Sequence, residues 1–288
     1  MIYHEKFGQH LRLGNFLFKY AWSVAKKEQF ADTSCYPDYY LWQYLKYPPI
    51  ISDREPEKFQ FLKTNWEWSD DEEKRVDSII RTNRDVVVSL DSFFQSEKWF
   101  ENYKSNVISA LTFKDDIVIN KVCDRYHGEH LFYKTTVGIG IRLGDFIDHG
   151  DFYQIPISWY TRALEEHFPN WKTDCNVMVF SDDIELAKRL FQEEGYHNFN
   201  YAEPNNTQTH AQNFKFYHGD ASEHLILGSL MDNFIIGNST FSWWQAWLAS
   251  WNTLGRVVHS GKVFSDTGNM KHINTEYYYP KRWIKYDP

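Results

Sequence analysis

Residues 234–250, FIIGNSTFSWWQAWLAS, hold side chains that could bind an anionic group. A β-branched run leads into Gly237, Asn238, Ser239 and Thr240, and an aromatic helical run containing Ser242 follows. Backbone N–H groups, hydroxyls and the positive end of a helix dipole would meet there, which holds phosphate without a lysine. The same residues also read as a plain helix cap, with Trp243, Trp244 and Trp247 as core. A second stretch, GIGIRLGD at 138–145, reads as a strand ending in a turn that brings Arg142 and Asp145 to one sheet edge. A guanidinium grips a diphosphate with two parallel bonds, and a carboxylate beside it orients it or takes a proton. An ordinary surface ion pair is the other reading. Third, VFSDD at 179–183 puts two carboxylates just after a strand. Asp182 or Asp183 can accept from a guanine edge there, or Ser181 or Asp182 can cap the next helix with Glu185 completing a capping box.

Other chemistries are poorly served. Cys123, Asp124, His127 and His130 match no standard zinc spacing, and no second ligand pair stands nearby. No GxSxG, HExxH or Walker loop occurs, which removes serine-hydrolase, zinc-protease and P-loop readings. The missing DxD pair weighs against metal-dependent sugar transfer. Lys and Arg number 31 against 39 Asp and Glu in 288 residues, a net charge of −8. That balance gives no support for a duplex-binding surface or a polybasic membrane anchor, and leaves room for a local basic pocket. With 18% aromatic residues the chain can bury a sizeable core. Cys35, Cys123 and Cys175 are odd in number and far apart, which reads as free thiols in a reducing compartment. No signal-peptide pattern and no run of transmembrane length is seen. The expectation is a cytoplasmic protein with no integral membrane segment and at most peripheral membrane contact.

In the second half, strand patterns at 135–142, 176–180, 234–236 and 256–259 alternate with helical patterns at 159–168, 184–194, 222–231 and 240–250. Such alternation marks a parallel sheet in a doubly wound domain. The first half is less regular. It gives a strand near 2–6, a Gly14-Asn15 turn, then a helix with Leu17, Tyr20, Ala21 and Val24 on one face. Helices are expected around 56–66 and 72–82, a strand at 85–90, and a junction near 121–134.

Taken in order, these stretches resemble the inverting fucosyltransferases of glycosyltransferase family eleven. HLRLGNFLFKYA at 10–21 is similar to GxLGNQxFQYA, GIRLGD at 140–145 to HxRRGD, and NSTFSWWQAWL at 238–248 to NSSFSWWGAWL; VFSDD is shared. SFFQSEKWF at 92–100 resembles GYFQSEKYF, and YPKRWIK at 279–285 resembles YPxxWIxI. The chain departs from the pattern at Phe16 (Gln), Gly140 (His) and Leu143 (second Arg). The last two remove polar groups from the nucleotide side.

The resemblance implies an α/β fold of GT-B type, two Rossmann-like domains facing across a cleft. Residues 1–134 would be the acceptor side, 135–270 would bind the GDP-sugar, and 271–288 would fold back as a tail. The implied reaction moves fucose from GDP-β-L-fucose to a sugar hydroxyl with inversion, favouring an α-1,2 linkage to a galactoside. It would need no metal and no cofactor beyond the donor. Arg142 with Asn238, Ser239, Thr240 and Ser242 would meet the diphosphate, and Asp182 or Asp183 the base. Asp145 would be the catalytic base with Asp148 as rival, and Gly14 and Asn15 would bind substrate. Partners would be a nucleotide sugar and an oligosaccharide acceptor, with no nucleic acid. Two alternatives stand beside this: a transferase for a different nucleotide sugar, and a non-catalytic glycan-binding protein on the same fold.

Overall fold

The computed structural model describes residues 1–5, 12–52, 56–118, 122, 134–147, 149–196 and 213–288. The chain divides into two compact units, Met1–Val118 with Ile273–Lys281, and Ile119–His272 with Arg282–Pro288. The final segment is thus shared between them. Asp148, the Cys123–Asp124–His127–His130 group and nearly all of the expected junction lie outside the described residues.

The described residues of the first unit form five parallel strands: β1 (Ile2–His4), β2 (Ser34–Tyr36), β3 (Ile50–Ile51), β4 (Gln60–Leu62) and β5 (Val86–Val88). Their order is β3-β2-β1-β5-β4, so the winding reverses between β1 and β5. The main helices are α1 (Leu13–Phe30), α2 (Asp70–Thr82) and α3 (Lys104–Ala110). Helix α2 starts at Ser69, whose Oγ accepts from the Glu72 N–H at 3.1 Å, and its first turn carries four acidic residues that suit the positive dipole end.

Two expectations fail here. Gly14 and Asn15 do not form a turn; they sit in the first turn of α1, behind Arg12 as N-cap. First-turn N–H groups need no intrahelical partner, so a glycine there costs little, and Asn15 Oδ1 accepts from Gln95 Nε2 at 2.9 Å. Residues 56–66 are not a helix. They contain β4, which pairs with β5 and buries Leu62 while Phe61 faces out, a period of two that a three-residue strand barely displays.

The second unit holds β6 (Thr135–Ile141), β7 (Cys175–Ser181), β8 (Phe214–Phe216), β9 (Asn233–Ile236), β10 (Val257–His259) and β11 (Ile284–Lys285). All pair in parallel, in the order β11-β10-β9-β6-β7-β8. Numbered from β6, that is the 3-2-1-4-5-6 order of the Rossmann sheet. Helices α4 (Ile157–His167), α5 (Ile184–Glu193), α6 (Ala221–Ser229) and α7 (Thr240–Thr253) complete it. Trp243, Trp244 and Trp247 of α7 are wholly buried. They are core.

Candidate active site

Ligands of open α/β sheets bind beyond the carboxyl ends of the strands where the winding reverses. In the second unit that point lies between β6 and β9. Gly140 stands opposite Ile236 of β9 and Phe180 of β7, so residues 142–145, 182–183 and 237–240 leave the sheet at one edge. The three stretches singled out in the sequence converge there.

Arg142 is held by two carboxylates. Its Nε donates to Asp145 Oδ1 at 2.9 Å, its Nη2 lies 2.7 Å from the same oxygen, and Nε is 3.2 Å from Asp182 Oδ2. The guanidinium carbon stands 5.9 Å from the Phe146 ring centre. Among the described residues Nη1 takes no acceptor, so one edge of the fork remains for a ligand. Asp182 does more than balance charge: its Oδ1 accepts the Leu143 N–H at 2.9 Å. Gly144 makes room for it, since a β-carbon there would fall 2.3 Å from Asp182 Oδ2. Leu143, in place of the second arginine, is buried in the apolar core.

Asp183, and neither Ser181 nor Asp182, is the N-cap of α5; its carboxylate accepts from the Leu186 N–H at 3.0 Å. Asn238 gives its amide nitrogen to the carbonyls of Tyr153 and Val263, at 3.0 and 2.9 Å, and so ties two loops together. Ser239 caps α7 through a long 3.5 Å contact with the Ser242 N–H. Ser239 and Ser242 are buried, whereas Thr240 and Phe241 are partly exposed at the helix start. Gly237 precedes them where a β-carbon would meet the Tyr160 hydroxyl at 2.3 Å.

In the first unit, Lys19 is a buried cation that none of the sequence motifs points to. It is 1% exposed, and its Nζ donates to the carbonyls of Ser89 and Leu90 at 2.7 and 2.6 Å, just past β5. Burial pushes this amine down to about 7, against the pull of Glu5 and Asp91. The available signal was a lone lysine inside the apolar run FLFKYAW. Among the described residues no three His, Cys, Asp or Glu side chains converge as a metal site would require, and no helix is long and apolar enough to cross a membrane.

The profile of Glycosyl transferase family 11 matches residues 58–286. The chain belongs to that family. It is 26% identical over 170 residues to the O-antigen biosynthesis glycosyltransferase WbnK of Escherichia coli, covering 55% of this chain and 50% of that protein. It is 27% identical over 207 residues to an alpha-1,2-colitosyltransferase of Escherichia coli, covering 69% of this chain and 62% of the relative. The chain therefore spans about half to three-fifths of the length of these relatives. A structure of Arabidopsis thaliana FUT1, a variant in complex with GDP, superposes with a TM-score of 0.54 at 14% identity, over 90% of this chain and 69% of that one. The likeness is one of fold, and the family 11 member described here has a GT-B-type α/β fold built on two parallel sheets.

Proposed function

We propose that this family 11 protein transfers fucose from GDP-β-L-fucose to a galactoside hydroxyl, forming an α-1,2 linkage with inversion and without a metal. One observation carries the reading: Arg142 and the start of α7 leave neighbouring strands at the reversal point, so a guanidinium and a helix N-terminus, two groups suited to an anion, stand at one sheet edge. Family membership supports it, and so does the GDP bound by the FUT1 structure of similar fold.

In the reaction the acceptor oxygen attacks the anomeric carbon as the bond from that carbon to the diphosphate oxygen breaks. Negative charge grows on the departing diphosphate. The Nη1 edge of Arg142 and the N–H groups at Thr240 and Phe241 supply preorganised donors for it. The acceptor proton passes to Asp145, which Arg142 holds in place. Asp182 fixes Arg142 and the 143–144 backbone, while Asp183 retains the guanine-reading role in this scheme through the carboxylate oxygen that does not cap α5.

A second reading, another nucleotide sugar as donor, draws on Gly140 and Leu143 and on the colitosyltransferase relative. Thermal-shift measurements with GDP, UDP, ADP and CMP separate the two, followed by transfer assays with GDP-fucose and lactose and linkage analysis of the product. Stabilisation by GDP without transfer from GDP-fucose would favour a different GDP-sugar, and no nucleotide effect would overturn both.

A further inference from the structure

The first sheet also reverses its winding, between β1 and β5. The carboxyl ends of those two strands are therefore where a ligand of this unit would bind. Two amides meet at that edge: Asn15, in the first turn of α1, and Gln95, in the loop that leaves β5. Gln95 belongs to the SFFQSEKWF stretch, which the donor site does not use.

The bond between them, from Gln95 Nε2 to Asn15 Oδ1 at 2.9 Å, leaves half of each amide over. Among the described residues nothing bonds Gln95 Oε1 or Asn15 Nδ2. Gln95 is 8% exposed and Asn15 partly exposed, and neither spare atom is sealed from solvent. An acceptor and a donor thus stand side by side, complementary to a pair of sugar hydroxyls, each of which donates and accepts. Both amides are neutral, which suits hydroxyls rather than the anionic diphosphate addressed by the second unit.

The loop that carries Gln95 is fixed in advance. Besides the two carbonyls that Lys19 holds, Glu5 Oε2 accepts the Leu90 N–H at 2.8 Å and Ser92 Oγ accepts the Thr64 N–H at 3.0 Å. Phe94, next to Gln95, has a φ of 51°, a left-handed backbone that a bulky residue adopts only at a cost. Its ring is wholly buried, stacked 4.3 Å from Trp22 of α1 and edge-on to Trp99. Packing holds the strained residue, and with it the backbone that aims Gln95.

We propose that Gln95, paired with Asn15, determines acceptor specificity, with Gln95 Oε1 and Asn15 Nδ2 bonding two neighbouring hydroxyls of a galactoside. The assignment rests on the transferase reading, which makes the acceptor a sugar.

The test uses two isosteric variants of the full chain, Asn15→Asp and Gln95→Glu. Each can keep one bond between positions 15 and 95, but each turns the outward donor into an acceptor. GDP-loaded protein is titrated with lactose and N-acetyllactosamine by calorimetry and NMR, and transfer kinetics are run with the same sugars. At least one sugar is expected to bind wild type in the millimolar range. Both variants should bind it roughly three- to tenfold more weakly and raise the acceptor KM to match. Their GDP affinity, their kcat at saturating acceptor and their Tm should stay near wild type. Three results overturn the proposal: neither galactoside binds GDP-loaded wild type, both variants bind as wild type does, or both melt early with acceptor KM unchanged. The last would make the pair purely structural. GDP binding without galactoside binding would sink this assignment alone; failure of wild type to bind GDP would overturn the transferase reading and this assignment with it.

Discussion

Gly140 and Ser242 compete for one space: a β-carbon built on Gly140 would lie 2.5 Å from both Cβ and Oγ of Ser242. Strand β6 and the first turn of α7 are packed together at the point where the HxRRGD pattern carries a histidine. A histidine here would displace the helix start that the proposed mechanism aims at the diphosphate. The missing side chain is thus coupled to where α7 begins.

Gly140→Ala should lower stability by about 1–3 kcal/mol through overpacking. Ser242→Gly in the same chain should recover a large part of that loss, giving a clear coupling energy in a double-mutant cycle followed by urea unfolding. Additive effects would show that the two residues do not share the space.

Buried histidines set the acid limit. Burial pushes His4 down to about 3, aided by the Lys19 charge, and pushes His224 and His259 down to about 4. Between an unfolded value near 6.5 and these folded values, the unfolded chain binds protons that the folded chain refuses. Stability should therefore fall as pH drops from 6.5 toward 4. Urea midpoints at several pH values test this, and a His4→Phe chain should show a shallower slope than wild type. Equal slopes would mean that His4 titrates normally when folded.

The second unit was more legible than the first, for physical reasons. Strands β6 and β7 are seven residues long and bury nearly every side chain, so they read as apolar runs. Strands of the first unit are two or three residues long, too short for any period to show. No sequence pattern therefore marks β2, β3 or β4, and 56–66 reads as a helix. The Arg142, Asp182 and Ser239 stretches were visible because each follows a strand pattern directly. Their mutual arrangement was not visible. That Asp182 accepts from the Leu143 N–H, and that Asn238 spends its amide on Tyr153 and Val263, follows from contacts between segments 39, 85 and 25 positions apart.

Transfer is expected to survive excess EDTA, because Arg142 and the α7 start supply the charge that a metal would otherwise bring. Rates with and without EDTA decide it; restoration by manganese or magnesium after a loss would rule out the metal-free scheme.

Ser239→Ala with Thr240→Ala separates capping from ligand binding. The cap contact is long, so its loss should cost ~1 kcal/mol or less in unfolding free energy. GDP affinity should fall by more than that small change in stability would explain. Normal GDP binding in an early-melting variant would leave these hydroxyls a structural role only.

Arg142 and its two carboxylates give the sharpest test. Lysine keeps the charge but offers no planar fork, and it cannot reach Asp145, Asp182 and a diphosphate together. Arg142→Lys should keep the fold, weaken GDP binding and lower turnover on the order of a hundred- to a thousandfold, the usual loss for one preorganised donor. Asp145→Asn should still bind GDP while transfer fails, since an amide cannot take the acceptor proton. Asp182→Asn should behave differently from both. It can still accept the Leu143 N–H through its carbonyl oxygen, but its amide nitrogen cannot pair with Arg142 Nε. Stability should change little, and turnover should drop less than in Arg142→Lys because Asp145 still holds the guanidinium. GDP calorimetry, unfolding midpoints and transfer rates of the three variants beside wild type give the comparison. A turnover loss in Asp182→Asn as large as that in Arg142→Lys would make Asp182 a direct ligand contact, and wild-type turnover in Arg142→Lys would place leaving-group stabilisation elsewhere in the molecule.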